Sequence, residues 1–162
     1  MISKKLEKIF NAQIDKEFYS SNLYLSMAIW AETSGYNGSA KWFYAQADEE
    51  RMHMLKFIEY LNDRGGKAIV PEIKQPPHKF KDLKTVFKQV LEHEIFISKS
   101  INKIVELTIK EKDYSTNSWI QYFVAEQIEE EKSVNEIIDK LNLVGEHNIY
   151  MFDRDIMELR TE

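Results

Sequence analysis

Four stretches of this sequence place apolar residues at steps of three and four, and each apolar stripe carries a carboxylate near its middle. These carboxylates belong to Glu17, Glu50, Glu94 and Glu130. Such steps keep a stripe on one face of an α-helix, and that face turns toward a core. We therefore expect four helices to bring their carboxylates to one level of one core. Buried carboxylates need a counter-charge, and a pair of metal ions is the simplest one.

The composition favours a single all-α domain, which we expect to span residues 1–162. The chain has only five glycines and three prolines, and 43% of its residues are hydrophobic, enough for a substantial core. The net charge of −5 argues against nucleic acid as a partner. The chain contains no cysteine, which excludes disulfides and Cys-bound metals and fits a cytoplasmic location. We expect no signal peptide and no membrane span.

Helix-starting and helix-ending residues divide most of the chain into four long helices. Their expected limits are about residues 4–33, 39–64, 83–110 and 116–143. We expect Asn37 or Ser39 to cap the second helix, and Asp82 to cap the third. Gly65 and Gly66 should end the second helix, since glycine readily adopts the left-handed conformation found at helix C-termini.

The connections between these helices indicate their arrangement. The segment of about residues 67–81 contains three prolines, which argue against helix, and it is long enough to run the whole length of a bundle. A short, a long and a short connection predict an up-down-down-up four-helix bundle with one long crossover. Residues 146–159 predict a short fifth amphipathic helix, which should cover the end of the bundle (about residues 4–143) or meet another subunit.

Glu50 and His53 stand three residues apart and project from one face of the second helix. Glu-x-x-His in a bundle core is the recurring half-site of di-iron carboxylate proteins, because iron(II) accepts both carboxylate oxygen and imidazole nitrogen. The same ligands also suit zinc or manganese. For Glu17 or Glu94 alone, a carboxylate that reaches the bundle edge or pairs with a lysine would be the simpler interpretation. The coincidence of four mid-helix carboxylates favours a metal site.

The fourth helix carries Gln127 and Glu130 where a symmetric site would have a second Glu-x-x-His, so this half-site lacks a histidine. Further acids, Glu49, Glu126 and Glu129, flank the stripes. Together with Glu130 they predict a second cation site with oxygen ligands only, and the alternative is a solvated acidic face.

Two roles remain open for Tyr24, which lies two turns after Glu17 on the same face. Its ring can pack in the core with its hydroxyl satisfied, or the hydroxyl can bind a ligand carboxylate and the ring supply an electron. The three other histidines are expected to be solvent-facing or structural: His78, His93 and His147.

Three segments resemble signatures of the non-haem bacterial ferritins, and the likeness covers essentially the whole chain. They are residues 19–28 on the first helix, residues 47–53 with the Glu-Glu-Arg-x-His pattern, and residues 63–66 at the end of the second helix. The resemblance implies one iron held by Glu17, Glu50 and His53, and a second held by Glu50, Glu94 and Glu130. Glu50 would bridge the two, and Gln127 would hydrogen-bond nearby. A third site would comprise Glu49, Glu126, Glu129 and Glu130.

The resemblance also implies an activity and an assembly. Ferritins form a hollow shell of 24 identical subunits, oxidise iron(II) with dioxygen or peroxide at the paired site, and store the iron(III) inside as a hydrated oxide. The chain is therefore expected to be a ferroxidase that stores and detoxifies iron. Haem is not expected, because haem-binding relatives carry methionine directly after the bridging glutamate, where this chain has Arg51.

Another departure concerns the route by which iron enters. Asn117 and Ile120 stand where animal ferritins have acids at their three-fold pores, so an acidic entry route is not expected.

Three other functions compete with iron storage: a rubrerythrin-like peroxidase or other di-iron oxidase, a helical bundle without metal, and a DNA-binding mini-ferritin. The missing second Glu-x-x-His weighs against the first. The mid-helix carboxylates weigh against the second, and the ligand set carried by one chain weighs against the third.

Overall fold

The computed structural model describes residues 1–160, and those residues contain helices but no strand. The four long helices are α1 (Lys4–Thr33), α2 (Asn37–Asp63), α3 (Leu83–Glu111) and α4 (Tyr114–Val144). A single turn of 3-10 helix (Glu146–Asn148) leads to α5 (Ile149–Asp155), and a second one (Ile156–Leu159) follows. The predicted helix limits are thus correct to within two residues. The last two residues of the expected domain, 161 and 162, lie outside the described part of the chain.

Two apolar clusters form the core, and each long helix contributes residues to both. The order in which a helix contacts the two clusters along the chain gives its direction, and the four directions give the topology. The first cluster includes Trp42 and Phe87, and the second includes Phe10 and Phe57. Helices α1 and α4 run from the second cluster to the first, whereas α2 and α3 run from the first to the second. This order is up-down-down-up, which confirms the predicted four-helix bundle.

The carboxylates lie where the two clusters meet. On every long helix, the glutamate of the stripe falls between the residues of one cluster and those of the other. The exposed fractions of these residues are 1% for Glu17, 2% for Glu50, 0% for Glu94 and 8% for Glu130. The bundle therefore has a polar layer across its middle, with an apolar core on each side of it.

The long crossover between α2 and α3 follows the surface of α1. Asn11 donates a hydrogen bond to the carbonyl of Lys67 (2.9 Å) and accepts one from the backbone of Ile69 (2.8 Å). Farther along α1, Ser26 donates to the carbonyl of Pro77 (2.6 Å). The two anchoring residues of α1 are separated by about 22 Å of helix. The crossover thus spans much of the bundle, as its length and prolines predicted.

The helix ends confirm one predicted cap and correct another. Asp82 accepts a hydrogen bond from the backbone of Thr85 (2.7 Å) and caps α3. At α2, however, neither Asn37 nor Ser39 acts as the cap, because the helix already begins at Asn37. The residue at the N-cap position is Tyr36, and its side chain makes no capping hydrogen bond. A carboxylate distant in sequence takes that role.

The carboxylate of Asp153, on α5, binds the first turn of α2. It accepts hydrogen bonds from the backbone of Gly38 (2.9 Å) and Ser39 (2.8 Å) and from the Ser39 hydroxyl (2.6 Å). Phe152 and Ile156 are buried beside it in the first apolar cluster. The fifth helix therefore covers the end of its own bundle. Within residues 1–160, none of the helices is long and apolar enough to cross a membrane.

We expect Asp153→Ala to lower the thermal midpoint, because it leaves the first backbone N–H groups of α2 without their acceptor. The expected loss is about 1–3 kcal/mol in the free energy of unfolding. The matched control is Asp155→Ala, which removes an exposed carboxylate of the same helix. Calorimetry on both variants measures the effect, and equal midpoints for the two would contradict the capping role.

Candidate metal centre

Three of the predicted ligands converge within the polar layer. One ligand atom from each of Glu17, Glu50 and His53 lies within 4.8 Å of the others, and all three residues are buried. The Nδ1 atom of His53 is 3.6 Å from the nearer carboxylate oxygen of Glu50. These two residues lie one turn apart on α2, so their convergence follows from helical spacing. Glu17 reaches them from the neighbouring helix α1.

Glu17 has one satisfied oxygen and one without a partner. Gln13, one turn earlier on α1, donates a hydrogen bond of 2.6 Å to Oε1. Oε2 is buried and has no hydrogen-bond partner. Because buried polar atoms in native proteins almost always have a partner, this oxygen indicates a position intended for a ligand. It belongs to a group of two carboxylates and an imidazole, which are suitable donors for iron(II) or another divalent transition metal.

Glu94 lies opposite and is held by two neutral donors. The hydroxyl of Tyr24 donates to Oε1, and Nε2 of Gln127 donates to Oε2 over 3.0 Å. Glu94 does not belong to the three-residue group around His53. Its two hydrogen bonds fix the orientation of the carboxylate from α1 and α4. The Tyr24 hydroxyl thus both has its partner and binds a predicted ligand carboxylate.

Glu130 completes the layer from α4. Its Oε1 accepts a hydrogen bond of 2.9 Å from Nε2 of Gln46. Glu130 also lines a cavity of about 220 Å³ beside the polar layer, together with three of the other predicted acids: Glu49, Glu126 and Glu129. Glu49, Glu126 and His53 place one ligand atom each within 4.8 Å of one another. Glu49 and Glu126 are half-buried, and Glu129 is exposed.

Burial strongly perturbs the acids of the layer. Desolvation raises the pKa of Glu17 and Glu50 well above the usual value, and the neighbouring carboxylates raise it further. Desolvation also raises the pKa of Glu94, against the hydrogen bonds from Tyr24 and Gln127. The pKa of Glu130 rises to about 8, mainly by desolvation and then by the nearby Glu94 charge. Like charges gathered in a low dielectric favour protonation, and a bound cation reverses that preference.

The remaining histidines lie where the sequence predicted. His78 and His147 are exposed. His93 is structural: its Nε2 atom is 2.7 Å from the hydroxyl of Ser20, and burial lowers its pKa to about 4.

Three residues of the site were missed by sequence reasoning. Gln13 lies four residues before Glu17, the ligand that it binds, and that spacing was an available signal. Gln46 binds Glu130 on another helix, so its position on α2 gave no such signal. Arg160 is the third: its guanidinium binds the carboxylate of Glu49 and the side-chain oxygen of Gln46. No spacing rule connects residue 160 with α2, so the sequence offered no comparable signal for it.

Comparisons with known proteins agree with this geometry. The family model described as a ferritin-like domain matches residues 7–144. A probable bacterial non-heme ferritin-like protein of Haemophilus influenzae is 43% identical, over 100% of this chain and 99% of its own length. A bacterial non-heme ferritin of Campylobacter jejuni is 44% identical, over 98% and 96% respectively. A solved open-pore ferritin of Archaeoglobus fulgidus is 37% identical and superposes with a TM-score of 0.94, covering 99% of this chain and 98% of that one.

The raised pKa values predict a stability that falls with pH in the metal-free protein. The folded pKa of Glu130, about 8, exceeds the ordinary value of 4.5, so the folded state binds more protons than the unfolded state between these values. The free energy of unfolding therefore decreases as pH rises through this window, by at most about 1.4 kcal/mol per pH unit for each such carboxyl.

Calorimetry of chelator-treated protein across this pH range measures the slope. Glu130→Gln should flatten it, and Glu59→Gln, which changes an exposed glutamate of α2, should leave it unchanged. A profile that is flat for the parent would show that the carboxyls of the layer do not titrate with folding.

Proposed function

This chain belongs to the ferritin family, and from that premise we propose that it stores iron in the cytoplasm after oxidising iron(II) to iron(III). The observation that carries the proposal is the buried group of Glu17, Glu50 and His53 with its unpartnered carboxylate oxygen. Iron-storage proteins must bind iron(II) where an oxidant can reach it, and this group offers the required ligands inside one subunit. The names of the relatives support storage over a non-storing di-iron oxidase or a bundle without metal.

In this proposal two iron(II) ions bind as substrates on opposite sides of Glu50. Glu17 and His53 hold the first ion, and Glu94 and Glu130 hold the second. The free Oε2 atom of Glu17 accepts the first ion without losing its hydrogen bond from Gln13. Gln127 and Tyr24 orient Glu94. Binding displaces protons from carboxyls whose pKa values burial has raised.

The reaction is balanced by a two-electron oxidant. Two iron(II) ions give up one electron each, and dioxygen takes up two electrons and two protons to become hydrogen peroxide. Hydrogen peroxide can take the same role and is then reduced to water. The anionic ligand set favours the iron(III) product because its higher charge is better compensated by carboxylates. The proposal includes the family's shell of 24 subunits, inside which hydrated ferric oxide accumulates.

The acids of the neighbouring cavity form a further cation site in this proposal. Glu49, Glu126 and Glu129 provide oxygen ligands, and Glu130 is shared with the paired site. His53 also lies near Glu49 and Glu126. Such a site can receive iron leaving the paired site without a long path through the protein. Haem has no part in the proposed function.

Glu50→Ala should slow iron(II) oxidation by roughly 100-fold or more, because it removes the ligand common to both ions. The helix content should remain, since the truncated side chain is an unpaired acid of the core rather than an apolar contact. Stopped-flow absorbance after anaerobic iron(II) loading measures the rate, and circular dichroism checks the fold.

The control is Glu59→Ala on the same helix, which should oxidise iron(II) at the parent rate. A parental rate in Glu50→Ala would overturn the assignment of the paired site. Sedimentation velocity of the parent tests storage separately, because a shell of 24 chains sediments far faster than a dimer. An assembly no larger than a dimer would contradict the storage proposal.

A further inference from the structure

Arg160 fills a position that the paired site does not explain. Its guanidinium donates hydrogen bonds to the carboxylate of Glu49 and, over 2.9 Å, to Oε1 of Gln46. Gln46 links Arg160 to Glu130, because its Nε2 atom donates a hydrogen bond of 2.9 Å to the Glu130 carboxylate. The side chain of Arg160 is only 19% exposed. A planar guanidinium with two acceptors in fixed directions is an ordered contact rather than a loose surface pair.

The same guanidinium is the positive charge of an otherwise acidic cavity. Glu49, Glu126, Glu129 and Glu130 line this cavity together with Arg160. Within residues 1–160, no other lysine or arginine forms an ion pair with any of these four acids. Trp42 lies beside the guanidinium, with 6.0 Å between its ring centroid and the Cζ atom.

We propose that Arg160 is a tethered counter-cation of this oxygen-rich site, and that a metal cation must displace it to bind there. The inference rests on the proposed function only in taking these acids as a cation site. A metal cation bound at Glu49 would lie beside the guanidinium that already contacts this carboxylate. The two positive charges would repel each other, because the cluster is partly shielded from water. Arginine therefore weakens the affinity of the site for metal while keeping its acids compensated when no metal is present.

The position of Arg160 in the chain allows such a displacement. It follows the 3-10 turn Ile156–Leu159, and its own backbone is extended rather than helical. The guanidinium can leave the cavity by rotation of its own side chain and movement of the residues that follow Ile156, without breaking α5 or any long helix and without moving Ile156 out of the first apolar cluster. By linkage, metal bound at the acids must loosen the terminal segment to the same extent that the segment weakens the metal. The site then holds a cation briefly and releases it, which suits transfer better than storage.

The experiment compares zinc occupancy in crystals of the parent, Arg160→Gln and Arg154→Gln, soaked over a series of Zn²⁺ concentrations. Arg154 is the matched control, because it is an exposed arginine paired with Asp155 away from the cavity. Anomalous scattering reports occupancy separately at the acid cluster that lines the cavity and at the group of Glu17, Glu50 and His53 (the His53 group). We expect the half-occupancy concentration at the cluster to fall about tenfold in Arg160→Gln, a typical coupling between sites. It should not change in Arg154→Gln.

Arg160→Lys separates charge from geometry. Lysine keeps the positive charge but lacks the planar guanidinium that donates to Gln46 and Glu49 at the same time. The half-occupancy concentration of Zn²⁺ at the cluster should therefore lie, in Arg160→Lys, between those of the parent and Arg160→Gln. Hydrogen exchange provides the solution readout. Zn²⁺ should speed exchange in the segment of residues 156–160 of the parent, whereas in Arg160→Gln the segment should exchange quickly with or without Zn²⁺.

Each outcome decides the inference. Equal half-occupancy in the parent and Arg160→Gln would overturn it, as would a zinc ion at the cluster with the Arg160–Glu49 contact intact. A cluster that stays empty in every variant would overturn both the inference and the oxygen-only site. Zinc at the His53 group would then still support the paired site. A tenfold shift at the cluster with no zinc at the His53 group would support the inference and count against the proposed paired site.

Discussion

The structure of residues 1–160 depends on placing four carboxylates in the middle of a helical core without giving them a lysine or arginine partner. Their hydrogen-bond donors are neutral: Gln13, Gln46, Gln127 and Tyr24. Among residues 1–160, no lysine or arginine forms an ion pair with Glu17, Glu50, Glu94 or Glu130. Neutral donors fix the orientation of a carboxylate but leave its charge uncompensated. The layer is therefore stable either as protonated acids or around bound cations.

The apolar clusters on either side make this arrangement possible. Each cluster contains large buried aromatic rings, including Trp42 and Phe43 in the first and Phe10 and Phe57 in the second. Burial of such side chains contributes about 1.5–3 kcal/mol each. The fold is thus stabilised from both sides, and the layer between them can be organised for binding instead of stability. The same division keeps bulk water away from the layer, which strengthens every electrostatic interaction within it.

Much of the fold, and the burial of the four carboxylates at one level of the core, could be predicted from the sequence, because both follow from helical periodicity. Glu50 and His53 are three residues apart on one helix, and this spacing places both side chains on the same face. Glu17 and Glu94 lie on apolar stripes, and the burial of those stripes predicts that the two carboxylates are buried as well. The capping of α2 was predicted wrongly for the opposite reason. Asn37 and Ser39 have suitable side chains, but the contact that forms comes from Asp153, which only the docking of α5 brings near. Interactions between distant segments leave no periodic signal.

The terminal segment shows how such contacts join fold and site. Asp153 binds the first turn of α2, and Arg160 binds Glu49 and Gln46 farther along the same helix. Each side chain has the charge that its position on α2 favours. The negative carboxylate of Asp153 lies at the N-terminus of the helix, where the helix dipole is positive, and the positive guanidinium of Arg160 lies at a cluster of acids. Asp153 holds α5 against the bundle, and its docking sets how closely Arg160 can approach the cavity. The segment that follows α4 thus contacts α2 at two places, its N-terminus through Asp153 and the acid cluster through Arg160, so the contact that docks α5 also brings the guanidinium near the cluster.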